Sequence, residues 1–241
     1  MEKTSLILLS RQTALQRQVE VIANNVANVN TSGFKAQQVL FETETVRPRF
    51  REELNFVIDR ATLRDTNTGT MTRTGNDLDF ALQGPGYFGV NTPQGVKYTR
   101  SGAFGLNSNG DIVTSDGNPV MSSDGQTLNI PADATQVTLD LTGRVMTDRG
   151  EVGTLQIVTF QREQEMIESG NNLFTTAEAG QQAAETRVVQ GAVEQSNVKP
   201  VLEMTRMTEA VRAYQQTTTL LQTEHERLRN AIRTLGRVSI V

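Results

Sequence analysis

The 241 residues include 37% hydrophobic side chains, enough for one large packed domain or two modest ones, and carry a formal net charge of −4. That balance gives no electrostatic reason to expect nucleic acid, whose binding rests largely on neutralising phosphates with Lys and Arg. With no cysteine, the chain is denied disulfides, thiolate metal sites and cysteine nucleophiles.

The apolar run from Leu6 to Leu9 is shorter than a signal-peptide core of roughly seven to fifteen residues. No stretch approaches the roughly twenty apolar residues of a membrane span. A soluble chain without a transmembrane segment is expected, exported, if at all, without the usual cleaved signal.

The first predicted element is a helix. Leu8, Gln12, Leu15, Val19, Ile22, Val26 and Val29 alternate spacings of four and three, with Gln12 the polar exception. A 3.5-residue repeat keeps one seam facing a partner helix along its whole length. Thr4 or Ser5 is available to cap the start, and Asn30 to Gly33 to end it. Asn24, Asn25 and Asn28 weaken the last turns, because Asn ranks low in helix propensity. Their amides are expected either to be solvated or to bond to neighbouring subunits.

Residues 34–77 show no sustained period, and extended segments with long loops are expected there. Arg47, Arg49, Arg51, Arg60 and Arg64 form a basic cluster in this stretch. Glu52, Glu53, Asp59 and Asp65 dilute it, so a solvated surface is the expectation.

From Leu78 to Phe160 the β signals sharpen. Asn109-Gly110, Asp116-Gly117 and Asp124-Gly125 are tight-turn dipeptides between short β-prone runs. Those runs are Tyr87 to Val90, Val96 to Thr99, Ile112 to Thr114, Val137 to Leu141 and Leu155 to Phe160. An extended return is expected from Arg187 to Val193.

Pro200 then opens a second helix, with Ser196 or Asn197 as candidate cap and Gly236 as its stop. Met204, Met207, Val211, Tyr214, Thr218, Leu221, His225, Leu228, Ile232 and Leu235 repeat the three-four spacing, with only Thr218 and His225 out of character. Glu203, Glu209, Glu224 and Glu226 each precede an Arg by three residues, the favourable helical order. Thr217 to Thr219 are consecutive β-branched residues, where a bend or local mobility is expected if neighbours do not hold the helix.

The fold class read from these elements is α+β: N- and C-terminal helices, each with a seam that wants a partner helix, and a central, mainly antiparallel β-domain. The divisions are 1–33, an assembly helix; 34–77, an extended or loop segment; 78–187, the β-domain; and 188–241, a return strand and second assembly helix.

No catalytic, cofactor or metal residues and no small-molecule substrate are expected. Gly84-Pro-Gly86-Tyr-Phe-Gly89 matches the dinucleotide pattern in letters only. Pro85 lies inside it, and the following residues read as a hairpin rather than the helix whose N-terminus receives a pyrophosphate. His225, the single histidine, sits on the helical repeat with no nucleophile elbow in the chain to serve. The stretch Asn107-Ser-Asn109-Gly110 resembles a calcium loop, but position one is Gly105 and position twelve is Asp116 instead of Glu.

Four stretches together resemble the flagellar rod and hook family of bacterial axial proteins: ANNVANVNTSGF at 23–34, LQGPGYFGV at 82–90, YTRSGAFGLNSNGDIVTSDGNPVM at 98–121 and QGAVEQSNVKPVLEMTRM at 190–207. Where many members have Gln-Arg-Ala-Tyr-Glu, this chain has Val211 and Gln215 flanking the Arg-Ala-Tyr core. The resemblance implies that the terminal helices pair in an inner helical domain with the β-rich middle as an outer one. It also implies export by the flagellar type III apparatus, residence in the periplasmic rod, and assembly with other rod proteins and with copies of itself into a tube that transmits torque.

The expected assembly residues are Leu8, Leu15, Val19, Ile22, Asn24, Asn25, Val26, Asn28, Gly33 and Phe34 at one end. At the other they are Met204, Met207, Val211, Tyr214, Leu221, Leu228, Ile232 and Leu235. Read from residues alone, two alternatives stand beside this one: a glycan-binding β-module with a helical oligomerisation hairpin, and an enzyme using His225. Another axial protein of the same family is a third.

Overall fold

The computed structural model describes residues 2–46 and 54–238 and divides into two compact units. Arg47, Arg49 and Arg51 of the basic cluster, with Glu52 and Glu53, and the side chain of Leu235, lie outside the described residues.

The first unit combines residues 1–27, 37–64 and 199–241. Helix α1 (Glu2–Ala27) and helix α2 (Pro200–Val238) pack on each other and on a two-stranded ribbon of β1 (Gln37–Val46) and β2 (Leu54–Arg64). The helices run antiparallel, because Asn25 near the end of α1 meets Glu203 at the start of α2, while Gln12 meets Tyr214 and Thr218.

The expected helix ends shift. α1 begins at Glu2, so Thr4 and Ser5 lie inside it rather than capping it, and it ends at Ala27, before the predicted stop. The chain turns there because the N–H of Thr31 closes a turn on the carbonyl of Asn28. α2 starts at Pro200 as expected, where a missing N–H costs nothing. Neither predicted cap serves it: Ser196 accepts from the Val198 N–H ahead of the helix, and the side chain of Asn197 is engaged elsewhere. Gly236 does not stop α2, which continues to Val238. Of the Glu–Arg pairs expected on it, Glu203 with Arg206 and Glu224 with Arg227 form, at 2.7 and 3.0 Å.

The helix passes through Thr217 to Thr219 unbroken. Each of these hydroxyls donates to the carbonyl four residues back, and Thr217 is buried.

The second unit comprises residues 28–36 and 65–198. Its strands include β3 (Met71–Arg73), β4 (Phe80–Gln83), β5 (Tyr87–Thr92) and β6 (Gly95–Thr99). A six-stranded sheet places the antiparallel β5–β6 hairpin at its centre, flanked by Leu173–Thr175 on one side and Ile157–Thr159 on the other. Successive residues of a strand face opposite sides of its sheet. Phe88 accordingly joins a core with Phe80, Phe104, Ile112 and Val145, and Tyr87 joins a second cluster with Phe160, Met166 and Phe174. The three turn dipeptides behave as read: the N–H groups of Gly110, Gly117 and Gly125 close turns on the carbonyls of Asn107, Thr114 and Ser122. The return splits at Gly191 into Arg187–Gln190, paired with β4, and Ala192–Glu194, paired with β3.

Candidate assembly surface and the junction behind it

The sheltered positions on α2 include a heptad pattern of Glu203, Met207, Ala210, Tyr214, Thr217, Leu221, Glu224 and Leu228, with Arg206, Val211, Ala213, Thr218 and Ala231 half-buried beside it. Half of it, at Met207, Tyr214, Leu221 and Leu228, coincides with the apolar repeat of the sequence. The other half sits one residue earlier, at small or acidic side chains. Glu203 is buried because its carboxylate accepts from Asn25 and pairs with Arg206. The turn of the helix leaves Met204 and Ile232 in water, 57% and 69% exposed, beside Val201 at 79% and Leu220 at 54%. Val211 is half-buried and His225 lies on the exposed flank.

On α1, Leu8, Leu15, Val19 and Val26 are half-buried and Ile22 is buried. Among the described residues of α1, the exposed large apolar side chains are Leu6 and Leu9. With Val57 and Ile58 of β2 they line an open groove of about 690 Å³. The polar exceptions of the two repeats find each other: the Gln12 amide donates to the Thr218 hydroxyl at 3.2 Å and the Tyr214 hydroxyl at 3.3 Å.

The Asn residues separate. Asn24 is exposed and Asn28 half-buried, each with a bonding partner in the chain. Asn25 is 1% exposed and its amide is satisfied within its own unit, by both backbone groups of Gln37 and by Glu203.

Gly33 and Phe34 are buried inside the β-rich unit. Gly33 has φ +68°, and a Cβ there would stand 2.4 Å from the backbone carbon of Arg100, so only glycine fits. Its N–H donates to the carbonyl of Glu194 at 2.7 Å.

Around that contact lies a fully buried ionic centre. The Glu194 carboxylate accepts from Lys35 Nζ at 2.7 Å, Arg100 Nε at 2.6 Å and the Gly69 N–H at 2.9 Å. Arg100 also donates to the carbonyls of Leu82, Gly84 and Gly86. The glycine motif therefore turns carbonyl oxygens toward a cation, the reverse of a phosphate cradle, which presents N–H groups.

Burial pulls the pKa of the Lys35 ammonium below its ordinary value, against the hydrogen bond and charge of Glu194. At Glu194 burial opposes ionisation, but the charge of Arg100 and the hydrogen bond and charge of Lys35 outweigh it, so the carboxyl titrates below its ordinary range. The centre binds its own members and leaves no reactive group poised for chemistry. Asp111 is likewise engaged, by the amides of Asn107 and Asn129.

Three family models match along the chain: "Flagella basal body rod protein" over residues 6–35, "Flagellar hook protein FlgE/F/G D1 domain" over 81–147 and "Flagellar basal body rod FlgEFG protein C-terminal" over 189–234. The chain is 34% identical to the flagellar basal-body rod protein FlgF of Caulobacter vibrioides, across 99% of this chain and 100% of that protein.

It belongs to the flagellar basal-body rod family.

The FlgF of Mesorhizobium japonicum is 33% identical over 98% of this chain and 99% of its own. The FlgG of Bacillus subtilis is 31% identical over 93% and 96%. Members of this rod family are structural subunits rather than enzymes, and the chain is FlgF-like in extent and identity. Each matched segment supplies one member of the ionic centre: Lys35, Arg100 and Glu194. Among the described residues no helix is long and apolar enough to cross a membrane.

Sequence reading missed the centre, because its members lie far apart in the chain and each looks like an ordinary surface charge. It also missed Leu6, Leu9, Val201 and Leu220. Their apolar character was visible, but they lie off the three-four repeat.

Proposed function

We propose that this rod protein is a proximal subunit that assembles with copies of itself and with other rod proteins into a helical tube transmitting torque in the periplasm. The terminal segments 1–33 and 188–241 are the assembling parts, 34–77 is the extended segment that follows the first of them, and 78–187 is their scaffold. The chain reaches its place through the flagellar type III export apparatus without signal cleavage.

The observation that carries this reading is apolar surface on the two terminal helices: Leu6 and Leu9 on α1, and Val201, Met204, Leu220 and Ile232 on α2, all exposed. Burying each such side chain is worth about 1.5–3 kcal/mol, which an assembly of many neighbours collects repeatedly. Contacts between unlike faces propagate into a helical array, whereas a self-complementary patch closes as a dimer. The half-buried positions Leu8, Leu15, Val19, Val26, Met207, Tyr214, Leu221 and Leu228 form the margin of this surface. Asn24 and Val211 of these helices belong to it as well, and Asn28 is a separate assembly residue just after α1.

The test is a variant carrying Met204→Asp and Ile232→Asp, produced in cells lacking the native copy. Both positions are exposed, so the monomer should keep its circular dichroism and melting temperature while purified basal bodies lack a complete rod. Complete rods built from this variant would refute the assignment.

A further inference from the structure

The chain passes between its two units at four places, after Ala27, Ala36, Arg64 and Val198. Within the helical unit, one side chain gathers the residues flanking the first, second and last of them. The Asn25 amide donates to the Gln37 carbonyl at 2.8 Å, accepts from the Gln37 N–H at 2.9 Å and donates to Glu203 at 3.2 Å.

Within the β-rich unit a second group of side chains gathers the residues flanking the second, third and last. Asn197 Oδ1 accepts from the Ala36 N–H at 2.7 Å, and its amide donates to the carbonyls of Asp65 and Asn67, both at 2.9 Å. Glu194 adds Lys35 and the Gly69 N–H. Most of the bonds that join the two limbs run from donors at the N-terminal end to acceptors at the C-terminal end, with the Asn197 N–H donating to the Phe34 carbonyl at 3.3 Å the other way. The N-terminal limb offers Asn25, Gly33, Lys35 and Ala36 as donors; the C-terminal limb offers Glu194, Asn197 and Glu203 as acceptors.

A buried ion centre is poor value as plain stabiliser, since apolar side chains of like volume commonly do as well. It discriminates strongly, however, because any other pairing of these segments strands a charge away from water. We propose that Asn25 and the Glu194 centre form a two-part closure lock, which orders the root of the N-terminal limb only when residues 194–203 are laid against it. The ends of the chain are thereby made interdependent, and a subunit lacking its C-terminal limb keeps its N-terminal limb unfixed.

Four amides report the lock directly: Gly33, Ala36, Gln37 and Gly69. Hydrogen exchange followed by mass spectrometry on the full chain is the test. With Glu194→Gln, exchange at 33–36 and 67–69 should quicken by roughly tenfold or more, because two buried cations lose their counter-charge. The β5–β6 hairpin should change far less.

The uncharged variant Asn197→Ala, expected to fold, should quicken 34–36 and 65–67 alone. Asn25→Ala should quicken residue 37 together with 201–204. A triple change, Lys35→Met with Arg100→Met and Glu194→Leu, should regain the native melting temperature yet leave 33–36 exchanging fast. Native protection at 33–36 in Glu194→Gln, in Asn197→Ala or in the triple variant would overturn the lock, whatever basal bodies contain.

Discussion

The two units dispose of their apolar side chains differently. In the β-rich unit Phe80, Phe88, Val90, Ile112, Val120 and Val145 are 0% exposed. In the helical unit, the buried apolar residues among those described are Ala14, Val21, Ile22 and Ala210, two of them alanines and none fully sealed, while Val201 and Ile232 stand in water. A unit that completes its own core is stable alone; one that covers only part of its apolar surface takes the remainder from neighbours. On the proposed function, the contrast separates residues that hold the monomer from residues that would hold the array.

The sharpest way to break that contrast is in the β-rich core. Phe88 is sealed and meets Phe104 edge-on, with ring centroids 5.2 Å apart. Phe88→Ala should cost about 3–5 kcal/mol in urea unfolding of the monomer. A loss below about 1 kcal/mol would mean the core is looser than its burial indicates.

The ionic centre should behave as a second pillar of the same unit, and acid should reveal it. The Glu194 carboxyl titrates below its ordinary value in the folded chain, so between the two values the unfolded chain binds more protons. Its contribution is present above the ordinary carboxylate range and is lost as pH falls through the lowered one. Unfolding midpoints measured at stepped pH should fall across that window in the native chain. In Glu194→Gln this part of the slope should be missing, and an unchanged slope would remove Glu194 from the account.

How much of this was legible in the sequence follows from distance along the chain. The turns at Asn109, Asp116 and Asp124 and the hairpin from Tyr87 to Thr99 were readable because neighbouring residues dictate them. The helical repeats were readable too, but not which side of α2 is covered. Glu203 and Thr217 look like surface residues until Asn25 bonds the first and the second turns its hydroxyl onto its own helix. Residues 34–77 showed no period in part because β1 mixes Thr and Glu, and β2 Asp, Arg and Thr, with apolar residues, and a bulge between Leu40 and Phe41 breaks the alternation. Lys35, Arg100 and Glu194 carried no local signal of burial, since nothing nearby in the chain foretells their meeting.

Smaller in effect is Gly33→Ala. The residue combines a positive φ with a backbone wall 2.4 Å from the absent Cβ. The substitution should cost more than about 1 kcal/mol in thermal unfolding, because neither the backbone nor Arg100 can yield cheaply. Gly75 offers the control: it also has positive φ, but nothing lies within 4 Å of its Cβ position, so Ala there should cost less.

The smallest effect on the monomer should accompany the largest effect on assembly. Met204→Ala and Ile232→Ala remove exposed side chains from α2, and each should shift monomer stability by no more than about 0.5 kcal/mol. On the proposed assembly the same side chains become buried against neighbours in a rod, where each would be worth about 1.5–3 kcal/mol, or roughly tenfold or more in the strength of every contact. Co-sedimentation of the variants with purified rod fragments should therefore weaken while melting curves overlay. If stability and assembly instead fell together, the exposed face of α2 would be serving the single chain after all, and the division between its two units would lose its meaning.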